Sequence, residues 1–224
     1  ASSCSSLIRV AAAAVAAGMG IPRVVKFAGD WVWETLSTHK LQGEDFAAVY
    51  HRSFVSRLLT VIERMGLRLF NMIWTPSVFR RNNVQYLLGV RARTTLIPNC
   101  LLLDAVGVRK EGEEATVTVI SANRFIPHKR IPWLVRAYAA VRDERTKLVL
   151  IGGGDEAQIE LVREAVTQCG LERSVRLTGI LSSREVYRIF REGSLYVSSS
   201  LEEGFPNVFI EAMAAGTPVV ATQV

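Results

Sequence analysis

The second half of the chain alternates short apolar segments with amphipathic helical patterns, and this alternation restricts the fold more than any other feature. The apolar segments are Thr116–Ser121, Lys147–Ile151, Ser174–Thr178, Leu195–Ser198 and Pro218–Ala221. Strands that are apolar along nearly their whole length belong to parallel sheets covered by helices on both faces. The pattern therefore predicts an α/β fold in which ligands bind beyond the carboxyl ends of the strands.

The first half shows a similar but less regular organisation. Its patterns predict helices over Ser5–Gly18 and Asp45–Leu69, and strands over Arg23–Ala28 and Thr95–Pro98. Residues 104–114 have mixed charge and little periodicity, so they are predicted to connect two domains. We predict a partial N-terminal domain at 1–108, a linker at 109–115, and a C-terminal domain at 116–224 that stops before its sheet is complete.

Composition and cysteine content indicate an ordinary globular protein in a reducing compartment. Hydrophobic residues make up 49% of the chain and charged residues 21%. The three cysteines, Cys4, Cys100 and Cys169, lie far apart and show no metal-ligand spacing, which argues against a disulfide scaffold or a zinc site. The apolar stretch Val10–Met19 is too short to span a bilayer and is predicted to be an alanine-rich helix. We therefore predict a cytoplasmic protein, associated with the inner face of the membrane if its basic half contacts lipid.

The net charge of +6 is concentrated in the first half. Phe46–Leu103 contains eight arginines and one acidic residue, a net charge of +7. Within it, three arginines share one helical face, namely Arg57, Arg64 and Arg68. The adjacent apolar stripe comprises Phe54, Leu58, Ile62, Met65 and Leu69. The favoured interpretation is a surface helix over the core; the alternative is a face that contacts anionic lipid or a lipid-linked acceptor.

Two acidic residues near the end of the chain flank a predicted helix start. Glu203 precedes a tight turn, the helix is predicted to open near Asn207, and Glu211 lies inside its apolar pattern. A buried carboxylate requires a partner, because an unpaired buried charge is costly. The N–H groups at a helix N-terminus suit a phosphate. The arrangement fits a ligand with hydroxyl groups at two places and a diphosphate between them.

Two cations follow the first strand of the second half. Arg124 and Lys129 are five residues apart and are predicted to lie beyond the carboxyl end of that strand. Fixed cations in this position can converge on one dianionic group and stabilise a leaving diphosphate without a metal ion. The alternative is that Arg124 and Lys129 are solvated residues at the end of a loop and bind no ligand.

These motifs together resemble family 4 glycosyltransferases. The resemblance extends over Val117–Thr222 and is carried by Arg124 with Lys129, the glycines Gly152–Gly154, Thr178-Gly179, and Glu203 with Glu211. It is weaker in the first half, where it rests on Val24–Glu34, Trp74–Ser77 and Leu96–Asn99. The resemblance implies a retaining transferase of the GT-B type, with two Rossmann-like domains, both incomplete in this chain.

The resemblance also implies a nucleoside-diphosphate sugar as the donor, with no cofactor and no obligatory metal ion. Arg124 and Lys129 would bind the diphosphate, Glu203 the donor sugar near its anomeric centre, and Glu211 the ribose. The other expected donor-binding residues are Gly153, Gly154, Gly204, Phe205 and Asn207. Many relatives have a histidine where this chain has Gly29-Asp30, so Asp30 is the candidate acceptor-side catalytic residue by position alone.

The predicted function is therefore glycosyl transfer to a carbohydrate or lipid-linked acceptor, with no nucleic-acid partner. The glycine pattern beginning at Gly152 also matches a dinucleotide-binding fingerprint, but the acid expected about 20 residues later is missing. Two further functions are compatible with the motifs. One is a nucleotide-sugar epimerase or phosphorylase on the same architecture, and the second is a fragment that binds a sugar nucleotide without turnover.

Overall fold

The computed structural model describes residues 11–28, 53–101 and 116–223. The chain divides into two compact units, Ala1–Asn99 and Cys100–Val224. The predicted linker at 109–115 lies outside the described residues, and the predicted domain boundaries stay predictions. None of the helices in the three described stretches is both long enough and apolar enough to cross a bilayer.

The first unit contains a three-stranded parallel sheet in the order β1-β2-β3. Its described elements are a helical segment at 11–18 (α1), β1 (Val24–Lys26), α2 (Phe54–Arg68), β2 (Met72–Thr75), α3 (Val78–Leu88) and β3 (Thr94–Leu96). The buried apolar core lies between the sheet and the helices α2 and α3. It contains Val25, Phe27, Leu67, Ile73, Val84 and Leu87. Both strands predicted above for this half are present, each shorter than its pattern.

The second unit contains a five-stranded parallel sheet in the order β6-β5-β4-β7-β8. Its strands are β4 (Val117–Ala122), β5 (Thr146–Ile151), β6 (Val175–Gly179), β7 (Leu195–Ser198) and β8 (Val219–Ala221). Its helices are a 3-10 turn (Pro127–Lys129), α4 (Ile131–Val141), α5 (Glu156–Gln168), α6 (Ser183–Glu192) and α7 (Asn207–Ala214). Every strand predicted for this half is present to within one residue at each end, so the α/β prediction is confirmed.

Both faces of this second sheet are covered, as the apolar strands predict. On one face α4 and α5 pack over Leu148 and Leu150 of β5. On the other face α6 and α7 pack over Ile120 and the fully buried Tyr196. Alternate strand residues thus enter separate cores, which explains why these strands lack the polar positions of a half-exposed sheet.

Helix α2 contradicts the favoured interpretation of its apolar stripe. Phe54, Leu58, Ile62 and Met65 are exposed to solvent, not packed on the core. The buried residues of α2 are Ser56, Thr60, Glu63, Gly66 and Leu67. Serine and glycine allow close packing of the helix backbone, and the Thr60 hydroxyl donates a hydrogen bond to the Ser56 carbonyl at 2.7 Å. The small and polar face therefore packs inward while the apolar face points outward.

Candidate functional site

The candidate site lies at the carboxyl ends of β4 and β7, which are hydrogen-bonded neighbours. Residues 123–130 follow β4, and residues 199–206 connect β7 to α7. Because parallel strands end at the same edge of the sheet, these two loops meet there. Most of the residues predicted to bind a donor belong to these two loops and to the helix that follows.

Lys129 and Glu203 form a salt bridge within this site. The Lys129 Nζ atom lies 2.6 Å from the Glu203 Oε1 atom, and the two side chains are only 14% and 10% exposed. Sequence reasoning gave these residues separate ligands, a diphosphate and a sugar. The structure places them in direct contact, so a donor that uses either residue must compete with, or join, an existing ion pair.

Hydrogen bonds attach the loop after β4 to the loop after β7. The Ser199 hydroxyl donates to the Lys129 carbonyl at 2.8 Å and to the Arg130 carbonyl at 3.2 Å. The Leu201 amide donates to the His128 carbonyl at 2.8 Å. Arg130 adopts a left-handed backbone conformation, with φ of 53°, at the point where the 3-10 turn passes into α4. These bonds fix the backbone of Lys129, and no sequence motif identified Ser199 in this role.

The glycine loop after β5 packs directly against the backbone after β4. A Cβ atom on Gly152 would lie 1.9 Å from the Asn123 carbonyl oxygen, and one on Gly154 would lie 2.2 Å from the Phe125 carbonyl oxygen. The Phe125 amide also donates a hydrogen bond to the Gly153 carbonyl at 2.7 Å. Gly152 and Gly154 are thus required for close approach of two chain segments, whatever contact Gly153 and Gly154 make with a donor.

A buried polar network holds the end of β4 just before Arg124. The Tyr196 hydroxyl donates to the Ala122 carbonyl at 3.2 Å and accepts a hydrogen bond from Asn123 Nδ2 at 3.3 Å. Asn123 Nδ2 also donates to the Ser121 hydroxyl at 3.1 Å. Burial raises the pKa of Tyr196, so its hydroxyl stays a neutral donor. Sequence reasoning missed this network, because a tyrosine inside a strand indicates only core packing.

Glu211 is half-buried in α7, and burial raises the pKa of its carboxyl group. Its charge in turn contributes to the raised pKa of Tyr187, for which burial is the larger cause. Within residues 116–223 its side chain forms no hydrogen bond or salt bridge. The expected structural partner is therefore not found among these residues, which leaves both carboxylate oxygens able to accept hydrogen bonds from a ligand.

The remaining predicted residues occupy the same edge of the sheet, with one exception. Arg124 is exposed in the loop after β4, while Gly204 and Phe205 are half-exposed in the loop before α7. Asn207 is the exposed first residue of α7, whose N-terminus follows Pro206 and has no side-chain cap. An uncapped helix N-terminus favours an anion. Asp30 lies outside the described residues, so its assignment stays a prediction.

Both units have the fold of solved glycosyltransferases. The chain is similar to Anabaena Alr3699/HepE, solved in complex with UDP and glucose, with a TM-score of 0.75, 18% identity and coverage of 96% of this chain and 57% of that one. It is also similar to sucrose-phosphate synthase from Thermosynechococcus elongatus, with a TM-score of 0.71, 22% identity and coverage of 94% and 58%. Residues 116–224 match the family model for glycosyl transferases group 1.

Sequence relatives match about half of the chain. Alpha-monoglucosyldiacylglycerol synthase of Streptococcus pneumoniae is 28% identical over 112 residues, which are 50% of this chain and 25% of that protein. Mannosylfructose-phosphate synthase of Agrobacterium fabrum is 33% identical over 112 residues, covering 46% and 25%. The chain thus spans about a quarter of the length of these curated relatives. The predicted resemblance to glycosyltransferases is confirmed.

Proposed function

We propose that this protein transfers a glycosyl group from a nucleoside-diphosphate sugar to a carbohydrate or lipid-linked acceptor, with retention of anomeric configuration. The observation that carries the proposal is the Lys129–Glu203 pair, buried at the carboxyl edge of a parallel sheet. Glu203 lies on the loop that leads to an uncapped helix N-terminus, and Glu211 lies within that helix. The cation and the helix N-terminus suit the negatively charged diphosphate of such a donor, and the two carboxylates suit its hydroxyl groups.

Each residue has a role that follows from its chemistry. The two oxygens of Glu211 accept hydrogen bonds from the ribose hydroxyl groups. Lys129 and Arg124 bind the diphosphate, with the α7 N-terminus supplying further positive potential. Glu203, once Lys129 turns to the diphosphate, accepts hydrogen bonds from the donor sugar.

The reaction requires stabilisation of the negative charge that develops on the diphosphate as the glycosidic bond breaks. The Ser199 hydroxyl holds the backbone of Lys129 in place, so only the Lys129 side chain has to move when it turns from Glu203 to the diphosphate. A fixed cation of this kind supplies the electrostatic stabilisation that a metal ion supplies elsewhere. No group of three or more potential metal-ligating side chains occurs within the described ranges. Metal independence is part of the proposal and is tested below.

The relatives support a nucleotide-sugar donor. Alr3699/HepE is described in complex with UDP-glucose, and TarM of Staphylococcus aureus with UDP and an α-GlcNAc-glycerol. The synthase of Streptococcus pneumoniae is named for a glycolipid product. These names make UDP and UDP-glucose the first ligands to test and a lipid among the first acceptors.

Calorimetric titration with UDP and UDP-glucose tests the site. Glu211→Ala should weaken UDP binding by about tenfold or more, because a hydrogen bond to a charged group contributes about 1.5–3 kcal/mol. Glu203→Ala should retain UDP binding, since it releases Lys129 for the diphosphate, but should abolish turnover. Glu164→Ala, on the exposed face of α5, is the matched control and should change neither. Unchanged UDP binding in the Glu211 variant would remove the ribose assignment.

Transfer assays test the mechanism. Lys129→Ala should lower kcat about a hundredfold or more, as loss of one preorganised donor commonly does. Lys147→Ala, at an exposed position of β5, is the control. EDTA should leave the rate unchanged, so a strict requirement for added divalent metal contradicts the leaving-group mechanism. Nucleotide binding without transfer to any acceptor would instead indicate a sugar-nucleotide-binding protein.

A further inference from the structure

The outward face of α2 is a continuous apolar surface. Six large apolar side chains on this helix are between 40% and 81% exposed, namely Phe54, Val55, Leu58, Val61, Ile62 and Met65. At 100° per residue they fall on one side of the helix. Scattered exposed apolar residues are ordinary, but a contiguous group on one helix face marks an interaction site.

This face is not needed to attach α2 to its own unit. The opposite face is the buried one, and Leu67 contributes to the core of the first unit from there. The helix start is independently fixed by a capping box between Ser53 and Ser56, with hydrogen bonds of 2.9 and 3.1 Å. The outward apolar side chains therefore add nothing to the packing of the described core, and their exposure to water is unfavourable unless something covers them.

The charge beside this face identifies what covers it. Arg57 and Arg68 are exposed along one flank of the apolar face, and the half-buried Arg64 lies next to them on the side toward the buried face. The segment Phe46–Leu103 has eight arginines and one acidic residue. A second copy of this chain would bring the same positive charge against itself, which disfavours self-association through this face. An anionic surface is attracted instead.

We propose that the outward face of α2 docks the protein on an anionic lipid surface. The helix lies in the plane of the membrane, with its apolar side chains among the headgroups and upper acyl chains and Arg57 and Arg68 against the anionic headgroups. This attachment is separate from donor binding, because the donor-site residues belong to the second unit. Each exposed arginine strengthens association about fivefold and is screened by salt, so attachment is weak and reversible.

Vesicle co-sedimentation of the full chain tests the proposal. The protein should sediment with vesicles of phosphatidylcholine and phosphatidylglycerol at low salt and be released at high salt. It should bind vesicles of phosphatidylcholine alone at least tenfold more weakly. Equal binding to the two vesicle types at low salt would overturn the proposal, because the charge of the surface would then have no effect.

Paired variants show whether α2 provides the attachment. The double variant Arg57→Gln, Arg68→Gln should bind anionic vesicles about 25-fold more weakly, from about fivefold for each arginine. The matched control is Arg173→Gln, Arg176→Gln, which removes two exposed arginines from the second unit and should bind like the wild type. An equal loss in both pairs would mean that only total charge matters and would overturn the assignment to α2.

A second set of matched double variants tests the contribution of the apolar side chains. Leu58→Gln with Met65→Gln should lower vesicle binding by at least tenfold, whereas Val141→Gln with Leu161→Gln, also at exposed positions, should not. All four side chains are exposed and glutamine favours helix, so the fold is retained, as circular dichroism will confirm. If the wild type ignores vesicles and instead forms a dimer that Leu58→Gln, Met65→Gln dissociates, the face is an interface between copies and the proposal is wrong.

Discussion

Replacing Lys129 by methionine tests whether the buried ion pair of the candidate site has the energetics that its geometry implies. The substitution keeps most of the length of the side chain and removes its charge. Glu203 then remains as a carboxylate whose side chain is only 10% exposed and whose partner at 2.6 Å has gone. Glu203→Gln removes the opposite charge and leaves the Lys129 ammonium group without its carboxylate.

Removing one partner of a buried ion pair costs about 3–5 kcal/mol, whereas replacing both by neutral groups is often close to neutral. Both side chains retain some exposure, so we expect a cost at the lower end of this range. We expect each single variant to lose about 3 kcal/mol of unfolding free energy, and the double variant Lys129→Met, Glu203→Gln to lose less than either. The exposed pair Arg163–Glu156, with an N–O distance of 2.8 Å, is the matched control. Arg163→Met should change the unfolding free energy far less than either single variant, because water screens an exposed ion pair.

Urea unfolding of the wild type, the two single variants and the double variant supplies the measurement. Tryptophan fluorescence is a suitable probe, because Trp133, one of the four tryptophans, lies close to the pair: the Arg130 guanidinium lies 4.9 Å from the centre of its ring, and Arg130 follows Lys129 directly. The reasoning is refuted if the losses in the single variants simply add in the double variant. Additive losses would show that the two side chains do not interact in solution.

Two further predictions concern the same edge of the sheet. Burial raises the pKa of Glu211, and the proposed ribose contact uses its charged form, so UDP affinity should rise with pH through that pKa. Calorimetry across the acidic range should find no such rise in Glu211→Gln. The same shift makes the wild type lose stability relative to Glu211→Gln as pH rises above the ordinary carboxyl value, and a pH-independent difference would contradict the burial argument. Gly154→Ala should cost about 1–3 kcal/mol in urea unfolding, since its Cβ would meet the Phe125 carbonyl oxygen at 2.2 Å, whereas Gly153→Ala, at 3.5 Å from Ile180, should stay within about 0.5 kcal/mol. Equal losses in the two alanine variants would show that the loop moves aside.

The strands of the second half could be predicted from sequence because burial on both faces leaves a local signal. Leu195–Ser198 is identical in prediction and structure. The order of the strands carries no such signal, since β4 pairs with β7 across more than 70 positions of sequence. For that reason Lys129 and Glu203 could each be assigned to a ligand but not to one another.

The face of α2 could not be predicted because periodicity shows that a helix has two faces but not which of them is buried. The usual assumption, that the apolar face packs inward, fails where Ser56 and Gly66 provide a close-fitting inner surface. Tyr196 shows a second feature that could not be predicted, namely the hydrogen bonds of a buried side chain. Its ring packs in the core against Phe190 and Phe209, while its hydroxyl group positions the end of β4.

The hydrogen bonds from the 199–206 loop to the 123–130 loop have a consequence for altering donor preference. Because Ser199 and Leu201 bind backbone carbonyl groups, the two loops are matched in backbone shape and not in side-chain identity. A chimera that takes only one of these loops from a similar glycosyltransferase would join it to a backbone whose shape it does not match. An experiment that exchanges the proposed donor specificity should therefore replace both loops together, although they are distant in sequence.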